Sequence, residues 1–374
     1  MDYSFEGYRR SDGSVGIRNY IGVISSVVCS SVVTKEISEK VPGAIPIVHT
    51  NGCAQLGDDF KVTKNMLVGV STNPNLYSAL LVGLGCETNQ ISGLLESIPE
   101  AKPIKGIGIQ QLSGGDNTIK KGVQIAEEWE NDIAKIKRER FPISSLNVGI
   151  ITIDIDEETL QTVAPVIEGV VDLLVVNDAT VMMGLSQTLE PAGQLLSERA
   201  PREEVKNKLK KIGEGLQRKR WKKVTKDPVP VRKFSIEEKA LATLESRLTG
   251  TKQIKSLLTY NEKPDENGLH LLAVPSNIVE ALSMMASSGC NIVMVVSSRG
   301  ILTGSIALPS MTITPGKSSN SFDELTDYTV SNEDASIQVQ KVVESLLAIC
   351  SGKQTSIEKL ELGEFSIPHV GTTF

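Results

Sequence analysis

The sequence predicts an α/β protein whose parallel sheets are covered by helices, arranged as two α/β domains in one chain. Three observations carry this. The apolar runs are short and rich in Val and Ile, they alternate with helical stretches, and the strand–helix–strand pattern restarts at Tyr20, Leu146 and Gly268. Continuous apolar strands alternating with helices mean parallel strands buried on both faces. A chain of 374 residues also exceeds one ordinary core.

In order, Tyr20–Val28 reads as a buried strand and Ser30–Lys40 as a helix, followed by a strand at Ile45–Val48. Ser78–Leu84 and Ile104–Ile109 are further strands, and Asn117–Lys137 has helical spacing. Phe141-Pro142-Ile143-Ser144-Ser145 breaks the pattern, which places the domains at 1–142 and 143–374. The second domain reads as a strand at Leu146–Ile153, a helix at Glu157–Glu168 and a strand at Asp172–Val176. Glu190–Arg220 is mostly helical, Asp227-Pro228-Val229-Pro230 a stiff connector and Ile236–Leu248 a helix. Strands Gly268–Val274 and Asn291–Val296 flank a helix at Ile278–Ser288. A polar loop at Lys317–Asp327 precedes the last helix, Ala335–Ile349.

The net charge of −6 and the pI near 5.4 argue against nucleic acid and anionic membranes as partners. The basic stretch Lys206–Lys226 reads as a solvated helix face, with an anion-binding surface as the alternative. No run of apolar residues approaches the roughly 18 needed to span a bilayer. The opening Met1–Glu6 has neither the basic nor the apolar region of an export signal. Five cysteines, widely spaced and without a C-x-x-C pair, predict reduced thiols in a cytoplasm.

Ligands in such folds bind at the carboxyl ends of strands, and four polar segments of the first domain stand at strand edges. Phe5–Tyr20 holds three glycines and three arginines; Arg18 suits bidentate carboxylate binding, and a plain salt-bridged hairpin is the alternative. His49-Thr50-Asn51-Gly52-Cys53 sets a His and a Cys four apart, as metal ligands or proton carriers. Gly85-Cys86-Glu87 puts a thiol beside a carboxylate. Gln110-Gln111-Leu112-Ser113-Gly114-Gly115-Asp116 offers amides and glycines to a polar ligand, while Asp116 has helix capping as its other reading. Each segment alone has a structural explanation; four in one layer can converge on one site.

These segments carry a resemblance. F-x-G-Y-x-R-x-D-G-x-x-G-x-R-N at Phe5–Asn19, H-x-x-G-C at His49–Cys53, Asn73-Pro74-Asn75, G-L-G-C-E at Gly83–Glu87 and Q-Q-x-S-G-G at Gln110–Gly115 resemble the altronate/galactarate dehydratase family in order and spacing. Ser235–Leu241 is similar to its I-E-E-K helix. The family also includes the larger subunit of sulfolactate sulfo-lyase. The resemblance implies loss of water, or of sulfite, from a hydroxy acid to give a 2-keto acid, with a sugar acid as the small-molecule substrate and Fe(II) as cofactor. Under it, His49, Cys53 and Glu87 are catalytic, His49 and Cys86 hold the metal, and Arg18, Asn19, Gln111 and Ser113 bind substrate. His369 lies in a stretch similar to one that ends family members, which would close over the site. Full-length family dehydratases carry a small domain ahead of the F-x-G-Y motif. In the sulfo-lyase it is a separate polypeptide, so a small partner subunit and a homo-oligomer are expected.

The second half departs from the family pattern. C-G-G-S-D is replaced around Ile153-Asp154-Ile155-Asp156, and P-E-x-x-G-A-E is matched at Asp178–Gly184 without its glutamates. A non-catalytic paralogue that binds a sugar acid, or that partners an active homologue, is therefore the alternative.

Overall fold

The computed structural model describes residues 3–53, 55–99, 102–212, 233–260, 262–316 and 322–370. The chain opens on an antiparallel hairpin, β1 (Ser4–Arg9) and β2 (Val15–Gly16), turning at Asp12-Gly13, where Gly13 has φ +85°. The first α/β layer follows: β3 (Tyr20–Ser25), α1 (Ser31–Ser38), β4 (Ala44–Ile47), α2 (Gly57–Ser71), β5 (Leu76–Gly83), α3 (Ile91–Leu95), β6 (Ile104–Gly108) and α4 (Gly115–Ile133). Its four strands lie in the order β4-β3-β5-β6, all parallel. Side chains alternate across a strand, and both faces are apolar here. Ile21 and Val23 pack with Val33 and Ile37 of α1 and Ile125 and Trp129 of α4. Ile24 faces the other way, with Met66, Leu67 and Val70 of α2.

β7 (Glu139–Pro142) returns to pair antiparallel with β1, setting Phe5 opposite Phe141. The second layer then runs β8 (Asn147–Ile153), α5 (Glu157–Val176), β9 (Thr180–Leu185), α6 (Gly193–Ser197), α7 (Glu203–Ile212), α8 (Ile236–Glu245), β10 (Ile254–Leu258), β11 (Gly268–Ala273), α9 (Ile278–Ser287) and β12 (Ile292–Ser297). It ends with β13 (Gly304–Ser305), β14 (Ser310–Thr314), β15 (Tyr328–Thr329), α10 (Ala335–Cys350), α11 (Ser356–Lys359) and β16 (Gly363–Glu364). Seven of these strands form one parallel sheet, β10-β11-β9-β8-β12-β14-β15.

Three cores hold the molecule. One lies under α5 and α10 and takes in Phe5, Val15, Ile17 and Phe141, so the N-terminal hairpin packs with the second layer. The next spans both layers, joining Ile24, Leu81 and Met66 to Met182, Leu272, Met285 and Val295. The third is the α1–α4 face of the first sheet.

One expectation is corrected. Asp172–Val176 is the end of α5, not a strand: Leu160, Val163, Ile167, Val170, Val171 and Leu174 are buried at helical spacing along all 20 residues. The strand comes next, as β9, and every residue of it is buried. Asp178–Gly184, matched by sequence to a polar motif, is therefore largely an interior strand. α5 is also the one described helix long and apolar enough to cross a membrane by length and composition; half of its apolar window is buried in the fold. The connector 227–230 and most of the basic stretch, from residue 213 onward, lie outside the described residues.

Candidate active site

In the first sheet the chain steps from β3 to β4 on one side, then crosses to β5 on the other. The crevice between β3 and β5 is thus the switch point, where ligands of open α/β sheets bind at the carboxyl ends. Ser26 directly follows β3, and Glu87 lies just beyond β5. Ser26 Oγ donates to Glu87 Oε1 at 3.0 Å, and the Gly85 N–H donates to Oε2 at 2.6 Å. The carboxylate is 3% exposed. The backbone is cut to fit it: a Cβ on Gly83 would stand 2.2 Å from Glu87 Oε1. Gly85, at φ +123°, turns its N–H toward the carboxylate, and its α-carbon lies under Gln110.

His49 follows β4 and is 4% exposed. Its Nε2 donates to Ser25 O at 2.9 Å, and its Nδ1 accepts from Asn51 N at 3.1 Å. Burial holds the imidazole neutral, with its pKa pushed down to about 4, against a smaller opposing effect of the Ser25 carbonyl. Gly52, at φ +105°, packs on the backbone of Ser26 and Val27 and delivers Cys53 to the surface. Cys86 is exposed beside Glu87. So is Cys29, on the turn after β3, which the sequence reading only counted. Gln111 and Ser113 are exposed after β6, ahead of the N-terminus of α4. The structure thus brings His49, Cys53, Cys86, Glu87, Gln111 and Ser113 to one edge of one sheet.

Arg18 and Asn19 are not there. They precede β3 and lie at its opposite, amino end. All five Arg18 donors are taken: Nε and one Nη2 bond by Glu358, the rest by the carbonyls of Ile17, Ile349 and Lys353. No donor is left for a substrate. Asn19 Oδ1 accepts from Arg10 Nη1 at 2.6 Å. Asn73-Pro74-Asn75 is likewise architectural. Asn73 donates to the carbonyls of Ala286 and Cys290, and Asn75 donates to that of Asn291, joining the two domains.

The C-terminal tail reaches the site from the second domain. Asn51 donates to Ile367 O at 2.9 Å, Val370 N donates to Asp59 Oδ1, and His369 Nδ1 stands 3.2 Å from the same oxygen. In the second sheet the order reverses between β8 and β12. There Ser297 Oγ donates to Asp154 Oδ1 at 2.7 Å, with Asp154 at φ +46°. Asp156 caps α5. A residue missed by sequence reasoning is Glu245, wholly buried, whose Oε1 accepts from Thr152 and Ser186 and whose pKa is raised by burial. A charge at i+3 from Ala242 and i−3 from Leu248, on an apolar face, was the available signal.

An iron ion held by His49 and Cys86 does not fit this arrangement, because both ring nitrogens of His49 are engaged with backbone. Among the described residues no three His, Cys, Asp or Glu side chains are grouped to hold a metal.

Residues 7–134 match the model of the D-galactarate dehydratase/altronate hydrolase second domain, and residues 143–373 that of the D-galactarate/altronate dehydratase C-terminal domain. The chain belongs to the galactarate/altronate dehydratase family. Altronate dehydratase of Escherichia coli (strain K12) is 25% identical over 394 residues, all of this chain and 79% of that protein. Galactarate dehydratase (L-threo-forming) of the same organism is 27% identical over 94% of this chain and 73% of its own length. The (2R)-sulfolactate sulfo-lyase subunit beta of Chromohalobacter salexigens is 24% identical over 97% of this chain and 96% of its own. For this family member the motif segments therefore have two separate duties. Those after β4, β5 and β6 line the switch-point edge, and those around Arg18 and Asn73 clasp the domains.

Proposed function

We propose that this chain is a hydro-lyase that removes water from a small polyhydroxy acid at the β3–β5 crevice. The observation that carries the reading is Glu87: a nearly buried carboxylate, held by two donors at the switch point of a dehydratase-family sheet. In this reading Glu87 takes the proton α to the substrate carboxylate. The electron pair expels the β-hydroxyl, which leaves as water with a proton from the Cys53 thiol, and the enol relaxes to the 2-keto acid. Gln111 and Ser113, before the N-terminus of α4, hold the carboxylate and hydroxyls. His49 is a positioning residue that fixes the Asn51–Cys53 loop. The resemblance also carries an iron requirement, and Fe(II) would then need ligands other than His49 as it is bonded here. Because the sulfo-lyase relative is named as one subunit, the proposal includes a small partner chain.

The test is 2-keto acid formation from altronate, galactarate and sulfolactate, with and without Fe(II) and the partner. Turnover is expected, falling about 100-fold or more in Glu87→Gln. Absence of turnover under every condition would sink the reading. A binding paralogue is the second reading, favoured by the second domain, where Asp154 and Asp156 bond within their own layer. Tight binding of a sugar acid without turnover would select it.

A further inference from the structure

We infer that a cleft between the two domains, at the amino ends of the strands, binds a small hydroxylated carboxylate. The cleft has a volume of about 370 Å³ and is lined by Asp12, Ser14, Thr72, Lys263, Asn267 and Ser288, among others. That is the lower range of small-molecule sites, roughly 300–1,000 Å³. One wall is the Asp12-Gly13 turn and the α2–β5 junction. The other is the approach to β11 and the end of α9.

Three features point to a ligand. Ser288 is wholly buried, and its hydroxyl has no hydrogen-bond partner. A buried polar atom left unsatisfied is costly, and a ligand or water hydroxyl would satisfy it. Lys263 donates to Thr72 Oγ1 at 3.0 Å and makes no ion pair among the described residues, so two of its three donors remain for an anion. Glu266 pairs with Arg202 and Lys255, and Asp265 lies 3.8 Å from Arg202, so among the described residues Asp12 across the cleft is the one carboxylate acting on Lys263, without an ion-pair contact. Asp12 accepts the Ser14 N–H and hydroxyl on Oδ1 alone, which leaves Oδ2 for a ligand hydroxyl. One cation, one open carboxylate oxygen and an orphan hydroxyl are the complement of a hydroxy acid.

The site is distinct from the β3–β5 crevice. Its residues precede β5 and β11 and open β8 and β9, whereas the crevice follows β3 and β5. It also absorbs the Asp12–Ser14 part of the N-terminal motif, which the strand-end site leaves unused. A ligand there would touch both domains. This inference does not rest on the dehydratase reading.

The test is calorimetric titration of the full chain with D-gluconate, galactarate and inorganic phosphate, read as stoichiometry and affinity. The wild type is expected to show a site whose affinity falls at least tenfold in Lys263→Met and in Asn267→Asp, and which survives in Glu87→Gln. Circular dichroism checks that each variant folds. The inference is overturned if neither acid binds, if both cleft variants bind as the wild type does, or if Glu87→Gln removes all binding. Binding of phosphate but of neither acid would overturn the ligand class. Loss of turnover in Glu87→Gln with the titration intact supports a binding site separate from the crevice.

Discussion

At the residue scale, the two sheets close their switch points with the same device. A serine at the end of one strand donates to a carboxylate beyond its neighbour, as Ser26 to Glu87 and as Ser297 to Asp154. Only the first pair is surrounded by the exposed thiols and amides of the family motifs. His49 beside it carries a pH signature. Its folded pKa of about 4 lies below the ordinary 6.5, so between these values the unfolded chain binds a proton that the folded chain refuses. Stability is then full above about pH 6.5 and falls as the pH drops toward 4, by ~3 kcal/mol in all. Urea unfolding at pH 7 and pH 5 should show a steeper loss in the wild type than in His49→Gln. Equal slopes would mean that the buried imidazole does not control this window.

At the element scale, the join between α2 and β5 does more than turn the chain. Asn73 Nδ2 serves two carbonyls of the second domain at 2.7 and 3.0 Å, and its Oδ1 accepts from Asn75 N. Asn73→Ala leaves those groups buried and unmatched, at an expected cost of ~2–4 kcal/mol. The unfolding midpoint in urea measures it, and a change under 0.5 kcal/mol, roughly that of a surface site, would contradict the clasp. The strands of the first layer were legible because buried parallel strands are short apolar runs. β10 and β14 were not: Ile254–Leu258 contains a lysine and a serine, and Ser310–Thr314 is rich in hydroxyls, so neither stands out as apolar. The end of α5 was misread because a five-residue apolar run fits a strand or a buried helix equally well. The strand-end rule located Cys53, Cys86, Glu87, Gln111 and Ser113. Applied strictly it excludes Arg18 and Asn19, which precede their strand and so stand at its amino end.

At the scale of the whole molecule, the two layers are tied by two segments: the N-terminal hairpin packs in the core under α5 and α10, and the tail at Ile367–Val370 bonds to Asn51 and Asp59 of the first layer. Arg18 and Glu358 are the charged part of that tie, 340 residues apart and bonded through two contacts of 2.7 and 2.8 Å. Their side chains are 8% and 14% exposed, so the pair is desolvated, and its net worth is smaller than its geometry implies. Removing one partner is different from removing both. Glu358→Gln leaves a buried guanidinium without a counter-charge, at an expected cost of ~3–5 kcal/mol. In the double variant Arg18→Met, Glu358→Gln that stranded charge is gone, so the double variant should be more stable than Glu358→Gln alone. Denaturant unfolding of the four proteins of this cycle gives the coupling directly. A double variant less stable than Glu358→Gln would show that Arg18 holds the domains mainly through its three carbonyl contacts, with the ion pair secondary.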